Sequence, residues 1–102
     1  MLTIPMRKWG ETLGTRGLGA EARQYIAAAL SEGETTVDFT GVQIATQGFL
    51  DEAIGKLAGE VSVDTLKTRC RFAGMNTTIA GLVRMVIVER RRQSDTFESQ
   101  SG

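Results

Sequence analysis

Five residues, TTVDF at positions 35–39, lie between Gly33 and Gly41. The run is short and β-branched and is stopped by glycine on both sides, so it is expected to be a buried strand. A buried strand needs partners and cover, and the neighbouring segments offer both. Before it, LGAEARQYIAAALSE keeps Leu18, Ala22, Tyr25, Ile26, Ala29 and Leu30 at helical spacing, with alanine favouring the helix and Gly33 ending it. After it, Leu50, Ile54, Leu57 and Val61 form the stripe of a second helix, flanked by Phe49 and Ala53.

The remaining segments fit the same alternation. LTIPMRKW at 2–9 places Leu2, Ile4, Met6 and Lys8 on one face, and Pro5 lacks the amide hydrogen of a central ladder, so an edge strand is expected. GETLGTRGLG at 10–19, with four glycines, reads as a connection. TRCRFA at 68–73 alternates Cys70 and Phe72 against Arg69 and Arg71, the pattern of a half-buried strand. Asn76 or Thr77 can then cap a long last helix. The sum is an α/β domain over residues 1–93, a three- to four-stranded sheet with about three helices packed on it, followed by a disordered polar tail at 94–102. Right-handed crossovers place the end of TTVDF and the next helix start at one edge of that sheet.

Composition narrows the chemistry. The 102 residues are the size of one domain, and twelve basic against twelve acidic residues leave no overall field to draw nucleic acid or anionic lipid. Histidine is absent and Cys70 is the single cysteine, which excludes imidazole or thiolate metal sites within one chain and Ser/His/Asp or Cys/His triads. No metal, cofactor or catalytic residue is therefore expected, and the absence of a long apolar run points to the cytoplasm.

The central stretch DFTGVQIATQGFLDE, preceded by TTV and followed by AIGKL, resembles the bacterial STAS-like family of unknown function. The hallmark of that family is an acidic-aromatic-small-Gly-Val strand end and then a Phe-x-Asp-Glu helix start. TLGTRGLGAEAR and RFAGMNTTIAGLV extend the resemblance to about residues 10–90. More distantly the stretch is similar to the STAS domains of anti-sigma factor antagonists. There, the position matching Gly48 is a serine whose phosphorylation by a partner kinase switches binding off; here the hydroxyl is missing, and Thr46 is the nearest substitute. The resemblance implies a non-catalytic regulatory module that binds a histidine-kinase-type ATPase, an anti-sigma-like regulator or a second copy of itself.

The implied partner surface is Thr46, Gln47, Gly48, Phe49, Asp51 and Glu52, joined by Arg16. Two readings of the acids are open: a carboxylate pair offered to a partner, or charges that complement a helix N-terminus. Arg16 with Gly17 likewise reads either as part of an anion cradle in GTRGLG or as a structural partner of Asp51 or Glu52. The cradle would make the chain a small-ligand or nucleotide-phosphate sensor, although neither G-x-G-x-x-G nor G-K-[ST] is present. In the last helix Ile79, Leu82, Val83, Val86 and Ile87 can face the sheet, whereas Met85 and Val88 leave that stripe and suggest self-association.

Overall fold

The computed structural model describes the backbone of residues 2–101 and the side chains through residue 92. The polar tail expected at 94–102 lies outside the described side chains. The chain opens with β1 (Leu2–Pro5), which stops at its proline. A 3-10 turn, Met6–Trp9, replaces the continued strand and carries Met6 wholly into the core. Trp9 is half-buried, edge-on to the Tyr25 ring, and the Lys8 ammonium lies 4.7 and 4.1 Å from the two ring centres.

The glycine-rich connection is more ordered than its composition suggests. It contains β2 (Thr12–Leu13) and then the first turn of α1 (Arg16–Glu32), so residues 16–19 are helix and not loop. The Thr15 hydroxyl accepts from the Leu18 amide at 3.1 Å and fixes that start. Gly19 is needed inside the helix, because a Cβ there would stand 2.6 Å from the carbonyl oxygen of Phe49 and 2.8 Å from Glu52 Cβ. Glycine here marks close helix packing.

β3 (Thr35–Asp38) confirms TTVDF as a strand, and β4 (Ile44–Ala45) pairs in parallel with β2. From there α2 (Gln47–Leu50), a π-turn (Asp51–Gly55) and α3 (Lys56–Val61) run on with helical dihedrals as one rod. The backbone then turns at Ser62, where φ 79° and ψ 150° lie in a region that glycine alone adopts freely. Its hydroxyl accepts from the Thr65 amide at 3.1 Å and so caps α4 (Val63–Arg69), a helix with no counterpart in the sequence reading. β5 (Cys70–Ala73) ends at Gly74, whose φ of 69° suits glycine and lets the backbone pass Asp38 and Thr40. Asn76 accepts from the Ile79 amide at 2.8 Å and caps α5 (Thr77–Ser101), while its side-chain amide donates to the Gln43 carbonyl at 3.0 Å.

The main sheet has the order β1-β3-β5, all parallel, with β1 at an edge as Pro5 requires. Because the strands step in one direction, right-handed crossovers put both connections on the same face. Burial agrees: Ile4, Thr35, Val37 and Cys70 face inward, while Thr3, Pro5, Arg71 and Ala73 of the other face are exposed. Beneath the covered face Phe39, Phe49, Leu13, Ile26, Leu57 and Ile79 have essentially no exposure, each worth about 1.5–3 kcal/mol of transfer free energy.

Two glycine substitutions test this packing. Gly19→Ala should lower stability by about 1–3 kcal/mol through overpacking, although alanine is the better helix former. Gly81→Ala in α5, with nothing within 4 Å of the added methyl, should raise stability by up to about 1 kcal/mol. Urea midpoints at an unchanged slope would read both signs, and stabilisation by Gly19→Ala would contradict the close approach.

Candidate functional site

β2 and β4 are two residues each, yet they determine where the candidate surface lies. Their parallel pairing, Thr12 with Ile44 and Leu13 with Ala45, launches α1 and α2 side by side. Both helices are capped by threonine. Thr15 caps α1, and the Thr46 hydroxyl accepts from the Phe49 amide at 3.2 Å, while the Thr46 amide donates to the Leu13 carbonyl at 2.9 Å. Thr46 and Gln47 are exposed, and Arg16 lies across Gly48, so that a Cβ on Gly48 would stand 3.6 Å from Arg16 Cγ. Gly17 is exposed with open space around it.

The remaining residues expected on this surface turn inward. Phe49 is fully buried in the core, and Glu52 is only 9% exposed. The two acids sit at the start of the π-turn, about 100° apart around the rod, and Asp51 reaches α5 as well as α1. Glu52 faces α1. Its carboxylate receives Lys56 Nζ at 2.9 Å, Arg16 Nη1 at 3.4 Å and Arg23 Nη1 at 3.4 Å, and Arg23 also donates to the Glu52 carbonyl at 2.8 Å. Asp51 is half-buried between Arg16 Nη1 at 3.5 Å and Arg90 Nη2 of α5 at 3.4 Å. Gly55 leaves the space into which the Asp51 carboxylate folds, since a Cβ there would meet Oδ1 at 2.7 Å.

Arg16 does join Asp51 and Glu52, as one of the two sequence readings had it. Arg23, Lys56 and Arg90 were not expected. Lys56 was within reach of sequence reasoning, since it follows Glu52 by one helical turn, and Arg23 follows Arg16 by two turns on the same side of α1. Arg90 was not, because it comes from a separate helix. Met85 and Val88 are exposed, at 42% and 48%, on a side of α5 away from the one that carries Arg90.

Electrostatics follow the contacts. Hydrogen bonding by Lys56 holds the Glu52 carboxyl below the ordinary glutamate range against the cost of burial, with Arg16 and Arg23 helping. Asp38, the acid of the DFTG turn, is also lowered, by the Thr40 hydroxyl at 2.6 Å and the Thr40 amide at 2.9 Å. That acid therefore shapes the turn after β3. Burial pushes the Cys70 thiol up to about 11, which leaves it protonated and a poor nucleophile near neutral pH. Among the described residues no group of three His, Cys, Asp or Glu side chains could hold a metal ion, and no helix is long and apolar enough to cross a membrane.

The lowered Glu52 value links stability to pH with a definite sign. Its contribution is fully present above the ordinary value of 4.5 and is lost as the pH falls through the lower folded value. Glu52→Gln should therefore lower the melting temperature at pH 7 and flatten its acid dependence. Asp51→Asn should do less, because Asp51 keeps more water. Equal melting of Glu52→Gln and the wild type at pH 7 would show that the network contributes nothing.

Comparison with known proteins fits this geometry. The profile of a STAS-like domain of unknown function matches residues 19–80, more than half of the chain, from the first turn of α1 to the start of α5. The match spans the Asp-Phe-Thr-Gly turn and the Phe-Leu-Asp-Glu helix start. No curated protein and no solved structure gives a significant match. The chain belongs to the family of STAS-like domains of unknown function.

Proposed function

We propose that this chain is a non-catalytic regulatory module of the bacterial cytoplasm that binds a protein partner through the paired starts of α1 and α2. The observation that carries this reading is the side-by-side launch of two threonine-capped helices. It leaves Thr46, Gln47, Arg16 and Gly17 exposed around Gly48. Beneath them Phe49 is in the core and Glu52 is held by three cations, so the surface rests on a fixed base. Partner surfaces work best when the free protein already holds the bound geometry.

The related antagonists place a phosphorylatable serine where this chain has Gly48, and the Thr46 hydroxyl is occupied as a cap. With no hydroxyl at Gly48 itself, the phosphoswitch of the antagonists has no counterpart at that position, and control falls to the partner. A histidine-kinase-type ATPase or an anti-sigma-like regulator is the class that the family resemblance favours. The alternative of a phosphate sensor has less support, since residues 16–19 are helix and the Arg16 guanidinium is engaged by two carboxylates.

A photo-crosslinking residue at Gln47 should trap one such partner in cells, while the same residue at Arg71, on the bare sheet face, should not. Gln47→Arg should weaken that complex about tenfold or more, as for a central interface residue, and leave melting unchanged, and Gly48→Ser should preserve both. Equal trapping from both positions, or unchanged affinity of Gln47→Arg, would refute the assignment of this face. If the partner is a second copy held through α5, Met85→Lys or Val88→Lys should turn a dimer into a monomer. A wild-type chain that sediments as a monomer at high concentration would refute that form of assembly.

A further inference from the structure

The charge of this chain is zero only in sum. Residues 62–92 carry seven Lys and Arg against two acids, Asp64 and Glu89. In the first part of the structure the cations are engaged: Arg7 with Glu11, Lys8 over two aromatic rings, and Arg16, Arg23 and Lys56 on carboxylates. On α4 and α5 the pattern differs, although Arg90 pairs with Asp51. Lys67, Arg84 and Arg91 form no ion pair among the described residues.

These three cations line one groove. It lies between α4, β5 and α5, has a volume of about 540 Å³, and has a floor that includes Phe72, Met75, Val83 and Ile87. No acidic side chain lines it. Arg84 and Arg91 are seven residues apart, two turns of α5, and so project from one side of the helix, while Lys67 comes from α4. The volume is in the range that takes up a small ligand, roughly 300–1,000 Å³, and the groove is confined to three short stretches of chain.

Each class of occupant makes different use of such a site. A neutral apolar molecule leaves the cations unused, a bare inorganic anion leaves the apolar floor to water, and a cation is repelled. Only a molecule with an apolar body and an anionic head uses both features, burying apolar area against the floor and forming charge-assisted hydrogen bonds at the rim. We propose that the groove between α4, β5 and α5 is a binding site for a small anionic amphiphile, a chain or ring system that ends in a carboxylate or phosphate, with its body over Phe72 and Ile87 and its head on Lys67, Arg84 and Arg91. The site uses none of the residues of the α1 and α2 starts and does not rest on partner binding there; it shares Val88 with the α5 surface named for self-association.

Titration of the full chain with decanoate, decyl phosphate, decanol and inorganic phosphate, followed by methyl NMR of Met75, Val83 and Ile87, tests this. Decanoate and decyl phosphate should shift those methyls in a saturable way, with the heads distinguishing a carboxylate from a phosphate site. Decanol and inorganic phosphate should each bind at least about tenfold more weakly. Arg84→Gln combined with Lys67→Gln should lose about tenfold in decanoate affinity, while Arg69→Gln, outside the groove, should lose none. The head-group comparison uses the wild-type chain and so decides the matter even if a variant folds poorly. Absence of shifts at millimolar amphiphile, equal affinity for decanoate and decanol, or shifts elsewhere would overturn the proposal. So would Met75 and Ile87 shifts that depend on protein concentration alone, because a second copy would then fill the groove.

Discussion

The carboxylate of Glu52 is the constraint on which the arrangement of helices depends. It lies nearly out of water, on a π-turn, with Lys56 from its own rod and Arg16 and Arg23 from α1 closing on it. Buried ion pairs seldom add much net stability, because desolvation offsets attraction, but removing one member strands the others. Its effect is therefore positional. α1 cannot slide along the rod without parting two guanidinium groups from this carboxylate and leaving it to Lys56 alone. Asp51, one residue earlier, extends the same restraint to Arg90 of α5. The extra residue of the π-turn matters here, since insertions of this kind redirect side chains around a helix.

This restraint explains why the acidic pair Asp51 and Glu52 is found inside the structure more than on its surface. Two acids at a helix start ordinarily serve the local dipole in water. Here one is a hub between helices and the other a bridge. The surface they support is made of small or uncharged side chains, Thr46, Gln47, Gly48 and Gly17, with Arg16 lying over them. The proposed partner face and the structural hub are thus adjacent layers of a single sequence motif.

How much of this was legible in the chain depends on how many residues each element commits to the core. Thr35 and Val37 of β3, and Leu50, Ile54 and Leu57 of the rod, repeat often enough to show their period, and those elements were read correctly. β2 and β4 have two residues each and no period to detect, although they place the site. α4 buries Leu66 alone, too little for a stripe. α1 starts two residues before Leu18, where Gly17 and Gly19 suggest a loop; one sits at a capped first turn and the other admits a neighbouring backbone. Pairing of Arg16 with the acids could be expected from charge and topology. The closing of Arg90 on Asp51 could not, since it depends on how α5 lies over the rod.

The bare face of the main sheet has a consequence for how this domain can change. Both crossovers lie on one side, so Thr3, Pro5, Arg71 and Ala73 face outward from strands whose alternate residues are fixed in the core. A strand side chain on the outer face can vary in size and polarity without pressing on the packed layer, because the pleat sends its neighbours the opposite way. The sheet thereby separates two evolutionary tasks. One side holds the fold together, and the other, apart from Asp38 with its bonds to Thr40, tolerates new surface chemistry as long as an exposed parallel sheet stays polar enough not to aggregate.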